Sequence, residues 1–196
     1  LLIQNEYREI NKNSKIISDF SILKDKKGLE SHLFLNRNAN LNLKSFSNAS
    51  LNINIEQVSN DTYLKANKLT SPMMNNYDIL ENSLKLNMSS DNTIVDGEFT
   101  IYENLNKKST DKFEYILPRV EMTKYINNKT NLDGNFIFKT NNFIQNFNTN
   151  IYEKVNTNDL IFESRPKIYK NGFNSNYEFI VKNSNTNSKK TQINKE

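Results

Sequence analysis

The chain contains no cysteine and no tryptophan, one histidine, three prolines and four glycines. Without cysteine, a disulfide framework, a thiol nucleophile and a cysteine-ligated metal are all excluded within these 196 residues. The single histidine, His32, sits beside apolar Leu33 and Leu35. A metal site or a histidine-activated nucleophile needs partners of a kind the chain lacks, so His32 is expected to be a strand residue facing water or a polar lumen. The glycines, Gly28, Gly97, Gly134 and Gly172, are isolated and fit turns. No G-x-G-x-x-G, P-loop, H-E-x-x-H or G-x-S-x-G pattern is present. No run approaches the ~18 apolar residues of a spanning helix, and no signal segment is visible. The chain opens on Leu1 within a strand-like pattern, as a piece of a longer protein would. Neither sign of charge dominates: 26 basic and 22 acidic residues give +4, dispersed along the sequence. A nucleic-acid partner would call for a clustered basic face, and none is seen.

What the chain does have is aromatic content and a two-residue period. Its hydrophobic fraction of 36% falls below the ~45–50% usual for soluble domains, yet twelve Phe and nine Tyr argue against disorder. In "ASLNINIEQV" (49–58) Leu51, Ile53 and Ile55 alternate with Asn52, Asn54 and Glu56, which places the two sets on opposite faces of a strand. Similar patterns run through 1–10, 14–23, 29–44, 77–88, 93–103, 111–125, 134–140, 147–155, 158–164 and 175–183. These predict ten to eleven strands and no amphipathic helix. Strands at this spacing with no helices between them form an antiparallel meander. Pro118, which cannot donate to a ladder, predicts a bulge or bend.

The connections 11–13 and 45–48 are short and polar, whereas 59–76 and 104–110 are long. Tight turns at one end and larger loops at the other are the habit of outer-membrane barrels. The expected fold is therefore all-β, an antiparallel meander forming an incomplete arc of a large outer-membrane β-barrel. The alternative is a secreted or surface-exposed soluble β-domain binding a protein or glycan. Residues 1–183 are assigned to the partial barrel and 184–196 to a polar basic tail or truncated loop.

Chemistry is thinly represented. Asp96 and Glu98 share a strand face, and Asp78 and Glu81 flank a strand start. Paired carboxylates can cleave glycosides, but nothing here supplies the apolar pocket that raises one pKa, so a solvated strand face is expected. No catalytic, cofactor-binding or metal-ligating residue is assigned. Ligand-contacting residues are not legible.

Several ordered stretches carry a family likeness. "LLIQNEYREINKNSKIISDFSI" (1–22) with its Glu6-Tyr7-Arg8 triplet, "SHLFL" (31–35), "LNINIEQVSNDTYL" (51–64), "FEYILPRVEMTK" (113–124) with its Leu-Pro step, and "NGFNSNYEFIVKNSNT" (171–186) resemble the barrel region of the LptD family of lipopolysaccharide-assembly outer-membrane proteins. Cysteines that pair in some family members are absent from this span. The family's periplasmic jellyroll and its closing strands would fall outside it. The resemblance implies a Gram-negative cell outer membrane location and transport rather than an enzyme. It implies lipopolysaccharide as cargo, an LptE-like lipoprotein plug in the lumen, an LptA-like periplasmic bridge reached through the jellyroll, contact with outer-membrane lipid, and no cofactor.

On this reading Leu51, Ile53 and Ile55, with Leu84, Leu86 and Met88, face lipid. Asn52, Asn54, Glu56 and Lys85 face the lumen, because a charge aimed at mid-bilayer costs ~2–4 kcal/mol. Tyr7, Tyr63, Tyr77, Tyr102, Tyr125, Tyr152 and Tyr169 fall near expected strand ends, as an interfacial girdle would have them. The segments 1–10 and 174–183 are expected to be unpaired edges, and 59–69 an outward loop.

Overall fold

A computed structural model describes residues 1–24, 26, 28–74, 76–127, 132–147 and 151–189. The ten long strands are β1 (Leu2–Ile10), β2 (Ser14–Lys24), β3 (Leu29–Asn40), β4 (Asn48–Val58), β5 (Ile79–Ser89), β6 (Thr93–Asn104), β7 (Phe113–Ile126), β8 (Gly134–Phe147), β9 (Ile151–Ser164) and β12 (Glu178–Lys189). They form one antiparallel sheet in sequence order, with β1 and β12 as its edges. Those edges do not pair with each other, so the sheet is an all-β meander that does not close. A separate hairpin of β10 (Lys167–Ile168) and β11 (Asn174–Ser175) interrupts the connection from β9 to β12. Among the described residues helix is confined to one turn, α1 (Tyr63–Ala66), and a 3-10 turn at Ser109–Lys112.

Local chemistry sets the short turns. Asn11 folds its side chain over the β1–β2 turn, where Oδ1 accepts the backbone N–H groups of Asn13 at 3.0 Å and Ser14 at 2.7 Å. At Pro118 the ladder registers jump, between Glu98 and Thr100 on β6 and between Ile116 and Arg119 on β7. Leu117 and Pro118 therefore bulge opposite Phe99, as a residue with no N–H requires.

Three expectations need correction. The segments 134–140, 147–155 and 158–164 are two strands rather than three. Asn141 and Asn142 read as a break in the pattern, but Asn156 Nδ2 on β9 donates across to Asn142 on β8, and Asn158 Nδ2 donates along β9 to Asn156 at 2.7 Å. Cross-strand amide bonds let a polar run stay in the ladder. The expected tail from 184 is strand as far as Lys189, paired with β9, while 190–196 lies outside the described residues. Long connections also occur at both ends of the sheet, 59–78 and 105–112 at one and 165–177 at the other.

Nor do all the glycines mark turns. Gly97 is inside β6, and Gly134 opens β8 beneath the Phe162 ring. A Cβ on Gly134 would collide with the Glu163 carbonyl and lie 2.6 Å from Phe162 Cζ. Gly134→Ala is expected to cost about 1–3 kcal/mol by overpacking, read as a lowered unfolding midpoint. The same change at Gly97, where the nearest atoms are 3.9–4.0 Å from an added Cβ, should be close to neutral.

Candidate functional site

Cross-strand register assigns every strand residue to one of two faces. One face carries Leu33 and Leu35 on β3, Leu51, Ile53 and Ile55 on β4, Leu84, Leu86 and Met88 on β5, Phe99 and Ile101 on β6, and Val120 and Met122 on β7. The other carries Asn36, Asn52, Asn54, Glu56, Glu81, Lys85, Asp96, Glu98 and Glu121. The expected assignment of the β4 and β5 side chains is therefore correct in its geometry. Among the described residues nothing packs over the apolar face as a second sheet. Leu33, Leu84, Phe99 and Val120 are exposed, from 36% at Val120 to 47% at Phe99, and the others named are half-buried.

The apolar residues do not follow the ladder rows. One row starts at Ser14 and Ala39, becomes apolar at Leu51, Leu86 and Val120, and ends at Asn142, Asn156 and Asn185. Meanwhile the apolar set has moved along the strands. It lies at Phe20 and Ile22 on β2, at Phe138 and Phe136 on β8, at Leu160 and Phe162 on β9, and at Val181 and Phe179 on β12. The band drifts by roughly one and a half residues per strand. At ~3.4 Å per residue and ~4.8 Å between strands it is inclined at about 45° to the rows. Barrel strands tilt by roughly 35–45° from the membrane normal, and a level apolar belt drawn on such strands has this inclination. Charges on the same face flank the band: Glu9, Arg37 and Lys124 toward one end, and Lys24, Glu103, Lys154 and Lys189 toward the other.

The polar face is partly covered. Connection 59–78 folds back over β1–β3, where Gln4 Nε2 donates to the Thr70 carbonyl at 2.8 Å, rather than projecting outward as expected. Tyr63, Leu64 and Leu69 bury against Phe34, Leu80 and Leu105, the last two reaching the cluster where the β4–β5 ladder has ended at Asn54 and Ser83. Beneath them His32 is buried, contrary to the expected wet histidine. Its Nδ1 is 2.6 Å from Ser21 Oγ, which is 2.7 Å from the Tyr63 hydroxyl, and its Nε2 is 3.3 Å from Asp19 Oδ2. Asp, His and Ser thus meet, but Ser21 is fully buried and capped by Tyr63, so no substrate reaches its oxygen. The group works as a polar anchor for the loop. Period-two placement put Asp19 and Ser21 on one face, whereas the pairing with His32 and the arrival of Tyr63 have no local signal.

Tyr63, Tyr102 and Tyr125 accordingly leave the expected girdle, Tyr63 into this core, Tyr102 onto the polar face opposite Glu81, and Tyr125 onto the same face opposite Ile137. Beside the covered region lies a cleft of about 510 Å³ whose lining includes Asn36, Asn52, Asn54, Glu56, Glu81 and Tyr102. Its carboxylates are occupied. Glu56 accepts the Glu81 N–H at 2.8 Å, and Glu81 accepts Lys85 Nζ at 2.7 Å. Asp96 and Glu98 do share the polar face, with Asn87 Nδ2 2.7 Å from Asp96 and Arg119 3.6 Å from Glu98. Asp78 pairs with Lys65 and not with Glu81. The Lys65 ammonium holds the Asp78 carboxyl below its ordinary range against the opposing effect of desolvation.

Lys112 ties the two long connections at this end together, with Asp61 at 2.8 Å and Glu103 at 2.6 Å. Hydrogen bonds to those carboxylates, Asp61 foremost, raise its pKa. A raised cation stabilises the fold fully below its unfolded pKa of ~10.4, and that contribution is lost as pH climbs through the higher folded value. Protease cleavage within 59–78 should therefore be insensitive to Lys112 ionisation near neutrality and increase at strongly alkaline pH. Lys112→Met should remove that increase and raise the neutral rate.

Comparison with known protein families and with curated proteins finds no match for this chain.

Proposed function

We propose that this chain is a section of the wall of an outer-membrane β-barrel that assembles lipopolysaccharide into the outer leaflet. The observation carrying the barrel reading is the inclined apolar band on the uncovered face, flanked by charges and backed by a polar face. A soluble sandwich would bury that face against a second sheet. The cargo rests on the ordered LptD-family resemblance from Glu6-Tyr7-Arg8 to the segment 171–186.

No bond is made or broken in this activity. The wall separates hydrocarbon from a wet lumen, and its polar face offers amides and carboxylates to a saccharide and to an LptE-like lipoprotein plug. The unpaired edges β1 and β12 would continue into further strands of the barrel. An LptA-like bridge would engage a periplasmic domain outside this span. Depletion of the parent protein in its host, with surface-exposed lipopolysaccharide measured, tests the assignment. A fall in surface lipopolysaccharide is expected. Unchanged levels would overturn the cargo, and recovery of the protein in the medium would favour a secreted β-domain.

A further inference from the structure

The connection from β9 to β12 has features that a wall does not need. It reads "RPKIYKNGFNSNY" (165–177), with Arg165, Lys167 and Lys170 and no Asp or Glu. The β10–β11 hairpin within it turns through Gly172 at φ +81°, and Tyr169 N–H donates to the Phe173 carbonyl at 2.8 Å. Its apolar side chains are uncovered: Ile168 is 76% and Phe173 62% exposed. Lys167 Nζ lies 5.4 Å from the centre of the Tyr169 ring, itself 5.9 Å from that of Phe173. The base of the hairpin is fixed to the apolar face of the sheet. Tyr177 N–H donates to Ser164 Oγ at 2.8 Å, and its ring is 6.0 Å from Phe162 and 5.7 Å from Phe179, both in the band.

The geometry points to residues 165–177 as an interfacial anchor that lays Ile168, Tyr169 and Phe173 among the head groups of an anionic lipid leaflet. This inference rests on the barrel-wall reading. Two features of the chain favour a leaflet as the occupant. The aromatic surface is continuous from Phe136 and Phe162 through Tyr177 to the base of the hairpin, at the level where the band reaches the ends of β8 and β9. The charge is of one sign, which suits lipid phosphates. Arg165 is 3.4 Å from Asp133 of the neighbouring connection, so Lys167 and Lys170 carry the attraction. Aromatic rings beside lysines are what a membrane–water boundary selects.

The absence of native cysteine allows a single label. Asn174→Cys, carrying an environment-sensitive fluorophore, is read in the full chain reconstituted into phosphatidylcholine vesicles with and without phosphatidylglycerol. Leu84→Cys, labelled alike, reports the wall. With anionic lipid, emission at 174 should rise roughly threefold and shift to the blue, an effect abolished by high salt and by Lys167→Glu with Lys170→Glu. A lipid-exposed signal at 84 in that double variant establishes that it has folded. A water-exposed 174 with a lipid-exposed 84 would overturn the anchor and leave the wall standing. Water exposure at both sites would overturn both. A blue shift at 174 indifferent to lipid charge and salt would overturn an anionic leaflet as the occupant.

Discussion

On the proposed wall reading, Leu84→Lys should destabilise the protein in a bilayer by about 2–4 kcal/mol, the largest loss expected from a single exposed position on the sheet. Leu84 lies in the middle of the apolar band, between Ile53 and Phe99 in its ladder row. It is already 40% exposed. In water, a lysine there would keep its ammonium hydrated and pack its stem along the sheet, and such surface changes usually stay within about 0.5 kcal/mol. In hydrocarbon the same ammonium has no solvent. The comparison is Asn87→Lys, on the opposite face beside Asp96, which should be near neutral in either setting. Denaturant unfolding from vesicles reads both. A loss of less than about 0.5 kcal/mol at Leu84 would mean that the face meets water, and the wall reading would fall.

The same row explains how much of the molecule could be read beforehand. Alternation is a local signal, so the strands from 1 to 126, their faces and their meander order were all legible in residues such as Leu51, Asn52 and Ile53. Inclination of the band was not, because it exists only once register aligns Leu51 with Leu86, Val120 and then Asn142. A break in the pattern also carries two meanings. At Pro118 it marks a bulge, since the backbone lacks a donor. At Asn141 and Asn142 it marks a ladder held by amide bonds from the next strand, and the partner Asn156 lies well beyond any local window. Connection 59–78 was the least legible. Its alternation lapses and its composition is polar, yet Tyr63, Leu64 and Leu69 are what bury, and their partners Phe34, Leu80 and Leu105 come from three different strands or strand ends. Asp19, Ser21 and His32 were visible as polar residues on strands. Their convergence under Tyr63 required the fold.

Tyr63→Ala should release that connection. Among the described residues Tyr63 is the largest fully buried side chain, and its hydroxyl is the last member of the chain Asp19, His32, Ser21. Truncating a buried aromatic costs about 3–5 kcal/mol, and Ser21 Oγ would lose a partner with no water to replace it. Because the ten-stranded ladder does not depend on this loop, the cost should appear as local opening of 59–78 rather than as global unfolding. A loss of 3 kcal/mol multiplies the open population by roughly 10², and proteolysis in this connection should accelerate by a similar factor. Tyr63→Phe separates the two contributions. It keeps the ring against Phe34 and Leu80 and removes only the hydroxyl, for about 1–3 kcal/mol. If the phenylalanine variant is cleaved as fast as the alanine variant, the hydrogen-bonded chain holds the loop; if it is cleaved like the parent, packing does. Parent-like cleavage of both variants would mean that the loop is not seated on β2 and β3 at all. The comparison therefore decides what seats the loop over this end of the polar face: apolar packing against Phe34 and Leu80, or the hydrogen bond to Ser21 beneath it.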